Sequence, residues 1–192
     1  ADGISSTAYN GVLVGSSPTR LIGDIMNIFV LDKFPEDAAR MQCDKHVVKM
    51  ILESAQMLCS IWPDGRAPYK RAFYNHPCTK WVRESQANYF WLWCHAMELC
   101  REYTRRYGKT HASEDVIRWC SPGTRWFHEK ETSIMFDIEI LTPFAQAMPD
   151  EYKVEDDAVQ AYRNYYIGEK ARFATWKEPG SAPEWFNEAV CA

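Results

Sequence analysis

Apolar side chains recur at helical spacing between Cys43 and Leu58, where Val47, Val48, Ile51, Leu52, Ala55 and Leu58 form one stripe. No Gly or Pro lies between Gln42 and Trp62, so the pattern predicts a single uninterrupted amphipathic helix. Pro35 or Asp37 starts a shorter helix ahead of it, through Ala38, Ala39 and Met41. Beside the apolar stripe, His46, Lys49, Glu53 and Gln56 follow one another at intervals of three and four and stack into a polar line. Two accounts of that line stand: a solvated helix edge carrying an i,i+4 Lys49–Glu53 pair, or an acid, an imidazole and an amine gathered for chemistry.

The rest of the chain reads as further helices and loops. Asn27 to Leu31 is a short strand-like apolar run, closed by Asp32-Lys-Phe-Pro35. Trp62 to Pro68 is a loop on its turn residues, and Asn75-His-Pro-Cys78 places Pro77 at a first helical position. From Thr79 one long helix is expected to reach Tyr107 and stop at Gly108. Its stripe is Tyr89, Leu92, Trp93, Ala96, Cys100 and Tyr103, with Glu84, Asn88, His95, Glu98 and Glu102 on another side. Ser113 to Cys120 forms a short helix, and Thr124 to Leu141 is extended or irregular. Asp156 or Asp157 caps a later helix that sets Ala158, Ala161, Tyr162 and Tyr165 on one face and Arg163, Tyr166, Lys170 and Phe173 on the next. The tail from Trp176 to Ala192 reads as irregular chain. Residues 1–25, rich in Ser, Gly, Thr and Ala, read as an appended or poorly packed extension, with a natural start at Met26.

Composition narrows the class. With 192 residues, 46% of them hydrophobic, the chain suits one core, so 26–192 is expected to be a single, mostly α-helical bundle. The net charge of −4 hides an uneven distribution: Asp64 to Thr110 carries nine Lys/Arg against four Asp/Glu, whereas His111 to Ala161 carries four against eleven. A basic face able to meet phosphates survives the acidic average. Seven cysteines, an odd number without compact spacing, fit reduced cytosolic thiols better than a disulfide framework. No apolar run is long enough to cross a membrane, and a cytoplasmic location is expected.

Three clusters carry candidate chemistry. Cys43 and His46 on the first long helix, with His76 and Cys78 before the second, offer four soft zinc ligands, although neither half has the doubled C-x-x-C pattern of a strong signal. His76 also reads as a turn residue whose ring caps a neighbouring backbone group. Tyr162-Arg-Asn-Tyr-Tyr166 with Lys170, Arg172, Phe173 and Trp176 interleaves rings with cations, which suits either an opened nucleic-acid strand or an aromatic core edge with solvated cations.

Taken in order, Asn27-Ile-Phe-Val-Leu31, Asn75-His-Pro77 before a long helix, Glu102-x-x-x-Arg106-Tyr-Gly108 at that helix's end and Tyr162-Arg-Asn-Tyr-Tyr-Ile-Gly168 resemble the phage endonuclease V type of pyrimidine-dimer DNA glycosylase. Met26 to about Gly168 is similar, more closely still, to small uncharacterised phage proteins with Asp-Lys-His-Val-Val-Lys-Met and Asn-His-Pro-Cys motifs. The resemblance implies an endonuclease V-like bundle in a phage or phage-defence context in a bacterial host, acting as a monomer on double-stranded DNA and removing a flipped-out base, either a pyrimidine dimer or a hypermodified pyrimidine. In that family an α-amine, exposed by removal of the initiator Met, is the nucleophile, and a helical glutamate assists. Here Asn27 follows Met26, and its bulk discourages Met removal. Asp44 or Glu53 is therefore the expected catalytic carboxylate with His46 nearby, and Lys49 is the alternative amine, which would add AP-lyase chemistry.

The expected DNA contacts are Asn75, His76, Arg83, Asn88, Trp91, Tyr162, Arg163, Tyr166 and Lys170. Tyr162, Tyr166 and Trp91 would receive the flipped base, and Arg83, Arg163 and Lys170 would meet the phosphates. Neither cofactor nor metal is expected for this activity. Two rivals remain: a non-catalytic nucleic-acid-binding module held by zinc on Cys43, His46, His76 and Cys78, and a base-hypermodification enzyme on the same scaffold.

Overall fold

A computed structural model describes residues 26–123 and 139–191 of the chain. The expected extension over 1–25 and most of the irregular stretch Thr124–Leu141 lie outside the described residues. Within them are seven α-helices: α1 (Pro35–Met41), α2 (Asp44–Cys59), α3 (Pro77–Glu84), α4 (Gln86–Tyr107), α5 (Glu114–Trp119), α6 (Ala158–Tyr165) and α7 (Glu184–Cys191). A π-helical turn, Tyr166–Lys170, extends α6, and Asp150–Tyr152 is a 3₁₀ turn. The mostly α reading holds.

Helix α4 is the axis, packed along both α1 and α2. Its supposedly polar side is interior as well: Asn88, His95, Glu98, Glu102 and Arg106 are all buried. They find partners there. Arg106 donates to the carbonyls of Gln42 and Arg40 and to the carboxylates of Asp44 and Glu102, tying the end of α4 to the α1–α2 junction. Gly108 ends the helix in the left-handed conformation, φ 66°, as its position suggested.

Four sequence expectations need correction. The single helix from Thr79 to Tyr107 is two, because Ser85 is extended (φ −144°, ψ 156°) and its hydroxyl accepts the Asn88 N–H to cap α4. The tail is not wholly irregular: Pro183 offers its carbonyl to Phe186 and Asn187, starting α7, which buries Phe186 against Trp176.

Asn27–Leu31 is buried but pairs with no strand among the described residues. Side chains satisfy its backbone instead. Asn27 Oδ1 accepts the N–H groups of Ile28 and Phe29, and Gln42 and Arg163 donate to the carbonyls of Ile28 and Leu31. Phe29 takes φ 44°, which a continuing strand would not allow.

The fourth correction concerns the buried face of α2. Val48 and Leu52 are 40% and 42% exposed, while His46, Met50, Glu53, Ser54 and Met57 are buried. The helix is rolled so that part of its polar line faces inward, and this roll creates the site.

Candidate active site

Glu53 sits in the middle of α2 with 4% of its surface exposed. Its Oε2 accepts the backbone N–H of Asn27 at 2.9 Å, and its Oε1 lies 3.0 Å from Nζ of Lys49 one turn earlier. The i,i+4 pair is thus present, but its acid is buried and its base stands at the surface. Burial pushes the Glu53 carboxyl above the usual carboxylate range, opposed by the Lys49 ammonium and the Asn27 N–H. Asn27 is itself fixed: its Nδ2 donates to the carbonyl of Ala147, and its Oδ1 holds the following turn.

A second layer packs beside this acid. The His46 ring stacks on Phe29 at 4.2 Å and meets Phe173 edge-on at 5.7 Å. His46 Nδ1 is 2.6 Å from the Tyr166 hydroxyl, which also accepts the Cys43 N–H. The direction of that bond follows the imidazole tautomer, since the phenol oxygen can accept a second hydrogen bond or donate its own proton. Burial, reinforced by the charges of Lys170 and Lys49, lowers the His46 pKa to about 3. The ring is neutral near pH 7 and holds Tyr166 in place.

The other expected site residues fall in three groups. Asp44 and Glu53 do not converge, since nine residues of helix put them about 13 Å apart along the axis, and Asp44 is engaged by Arg106 at 3.1 Å. Asn75 is exposed and His76 half-buried, at the mouth of α3; the His76 ring accepts the Cys78 N–H, the local capping role that its sequence allowed. Cys78, two residues on, is buried, and α3 packs against α2.

A third set lies inside. Asn88 spends its amide on the Trp81 carbonyl and on both the N–H and hydroxyl of Thr142. Trp91 donates to the Lys33 carbonyl, and Tyr162 to the Ala145 carbonyl. All three are buried, as are Tyr166 and Lys170, whose Nζ lies 3.0 Å from the Tyr165 hydroxyl. Arg163 is half-buried and bonds the Leu31 carbonyl and Asp32. Arg83, near the C-terminal end of α3, holds its guanidinium 3.3 Å from the Tyr74 ring.

Among the described residues, no three His, Cys, Asp or Glu side chains gather as metal ligands. Cys43 and Cys78 are buried thiols whose pKa burial raises, Cys78 to about 12. The proposed Cys43/His46/His76/Cys78 zinc cage is therefore not assembled. A groove of about 540 Å³ between Arg40, Arg163, Trp185 and Glu188 is not lined by Glu53, Lys49 or His46.

Sequence reasoning missed two features. One is the backbone of Asn27 as a partner of Glu53, which no side-chain pattern announces. The other is the exposed pair Phe73 and Tyr74, two rings at the turn before Asn75, visible in the sequence but given no role there.

Residues 26–115 match the family model for pyrimidine dimer DNA glycosylase. That span contains Asn27, His46, Lys49, Glu53, the Asn75-His-Pro turn and all of α4, and ends before α6. The match covers slightly less than half of the chain. No curated protein and no solved structure matches the chain.

Proposed function

We propose that this protein is a DNA glycosylase that removes a damaged pyrimidine from duplex DNA, a pyrimidine dimer in the first instance, with Glu53 as its catalytic carboxylate. The observation that carries the reading is a buried acid held between a backbone N–H and a surface ammonium, inside the span that matches the glycosylase family. Cleaving the bond between base nitrogen and C1′ leaves positive charge on the sugar while the base departs with the electron pair. A carboxylate in a poorly solvated pocket stabilises that charge far better than one in water. Its raised pKa also suits it to take the proton of the water that attacks C1′. Lys49, half-exposed over Oε1, is the first group that a DNA strand approaching Glu53 would meet, and its charge fits a phosphate or the departing base.

Tyr162, Tyr166 and Trp91 are buried, so none of them presents a ring to a flipped base. Of the DNA set, Asn75 is exposed at the mouth of α3, while His76, Arg83 and Arg163 are half-buried.

A second reading is favoured by the Asn27 contact. If the chain were cut between Met26 and Asn27, the nitrogen now 2.9 Å from Glu53 would be an α-amine with its general base in place. It would attack C1′, expel the base and form a Schiff base, with lyase chemistry following. Incubation with ultraviolet-irradiated, unmodified and hypermodified DNA, scored by alkali cleavage at abasic sites, tests the glycosylase. Borohydride trapping in parallel separates activated water (no covalent adduct) from an amine at Asn27 or Lys49. No abasic sites on any substrate overturns the assignment.

A further inference from the structure

The segment before α3 carries an aromatic tip, Phe73 and Tyr74. Phe73 is 52% exposed and adopts φ 47°, a left-handed backbone that a bulky residue rarely takes. The conformation is held from both sides. The His76 N–H donates to the Phe73 carbonyl at 2.9 Å, closing a turn against the cap of α3. Upstream, Arg71 grips the Trp62 carbonyl with two donors at 3.1 and 2.7 Å, and its guanidinium lies 5.0 Å from the Tyr74 ring. Arg83 covers that ring at 3.3 Å. Tyr74 is thus a platform braced by two cations, and Phe73 projects beside it.

An apolar ring presented to water on strained backbone has little to do in the folded chain. A base step in DNA is what it fits. Side chains of this kind enter between adjacent bases, unstack them and kink the duplex, with flanking cations holding the phosphates. Exposed Lys70 and Lys80 stand on either side in sequence, within the segment of local positive charge. The tip lies five residues before Cys78 of α3, a helix that packs against α2, the helix that carries Glu53.

We propose that Phe73 is a wedge that enters the base stack of duplex DNA beside the Glu53 site, with Tyr74 and Arg83 as its support. The proposal rests on the glycosylase reading for its purpose, since a base must leave the stack before its sugar can be reached, but the wedging itself is separately measurable.

The test uses the full chain and a duplex bearing one thymine dimer, with 2-aminopurine at the neighbouring step. Wild type should raise the 2-aminopurine fluorescence several-fold. Phe73→Leu, still an apolar wedge, should keep most of the rise, whereas Phe73→Ser should lose it and cut abasic-site formation on the duplex by about tenfold, for a lost contribution of about 1.4 kcal/mol. Irradiated single strands, already unstacked, should be processed equally by all three proteins. A fluorescence rise that depends on Phe73 without abasic product from wild type would keep the wedge and remove the glycosylase. No rise in wild type, or an equal rise in Phe73→Ser, overturns the wedge whatever the product yield, and the ring is then a contact for some other partner.

Discussion

The backbone N–H of Asn27 donates to Oε2 of Glu53 at 2.9 Å, joining the first described turn of the chain to the centre of α2 across 26 residues of sequence. The bond orients the carboxylate and, with Lys49, keeps a buried acid from being an uncompensated charge. Only one of the two candidate acids of α2 is placed this way. Glu53→Gln keeps the side-chain shape and the Asn27 contact but removes the negative charge. Base removal should fall by about a hundredfold or more, on the scale of losing one preorganised electrostatic group. Asp44→Asn should leave base removal within about twofold and lower stability by about 1 kcal/mol through its bond to Arg106. Alkali-cleavage rates and urea unfolding of the two variants check this, and the opposite pattern would move the catalytic role to Asp44.

Arg106 is the structural counterpart of that site. Its side chain is 2% exposed, and its donors reach two backbone carbonyls and two carboxylates. Truncation leaves the carbonyls of Gln42 and Arg40 and the acid of Glu102 short of a buried donor. Arg106→Ala should therefore destabilise by about 3–5 kcal/mol, seen as a lower urea midpoint. Arg105→Ala removes a half-exposed partner of the same Glu102 and should cost less than about 1 kcal/mol.

Acid should unfold this protein through its histidines. Burial lowers both His46 and His95 from 6.5 to about 3. Between those values the unfolded chain binds protons that the folded chain refuses, so stability rises with pH there and is lost as pH falls below about 6.5. Glu53 acts with the opposite sign: its folded pKa is raised above 4.5, so it contributes stability below that value and loses it as pH rises through the folded pKa. Two imidazoles outweigh one carboxyl. The net expectation is a decline on acidification from pH 6.5, on the order of 1 kcal/mol per unit, steepening below 4.5. Urea midpoints from pH 7 to 4 measure it, and His95→Gln should flatten the slope by up to one proton.

What the sequence could disclose was local. Pro35, Pro77 and Gly108 mark helix ends by their backbone chemistry and Asp157 by its carboxylate cap, the structure choosing Pro35 over Asp37 and Asp157 over Asp156. The inward roll of α2 was not legible, because His46 and Glu53 are buried by partners 120 and 26 residues away, Tyr166 and Asn27. Without those partners a polar line is more naturally a wet edge. The break at Ser85 was missed because the strongest signals, Gly and Pro, are absent, and a serine flanked by helix formers can cap as easily as continue. Tyr162, Tyr166 and Trp91 looked like a base-receiving surface. They are interior because each polar tip finds a partner there, a carbonyl or an imidazole.

Lys49 offers the sharpest test of how the surface ammonium and the buried acid work together. Its charge is the largest influence holding the Glu53 pKa down against burial. Lys49→Met keeps much of the side-chain length and removes that charge, so the Glu53 pKa must rise further. If Glu53 acts as a carboxylate, the acid limb of kcat/KM should move to higher pH in the variant, with activity partly recovered as pH is raised. A lysine that only met phosphate would behave otherwise: its loss would raise KM at every pH and reduce the salt dependence of binding by about one counterion. A Schiff-base lysine would behave differently again, with no recovery at any pH and with a borohydride adduct formed by wild type and lost in the variant. The pH profile and the trapping assay of one variant therefore separate three roles for the same side chain, and an unshifted acid limb would remove Glu53's ionisation from the rate.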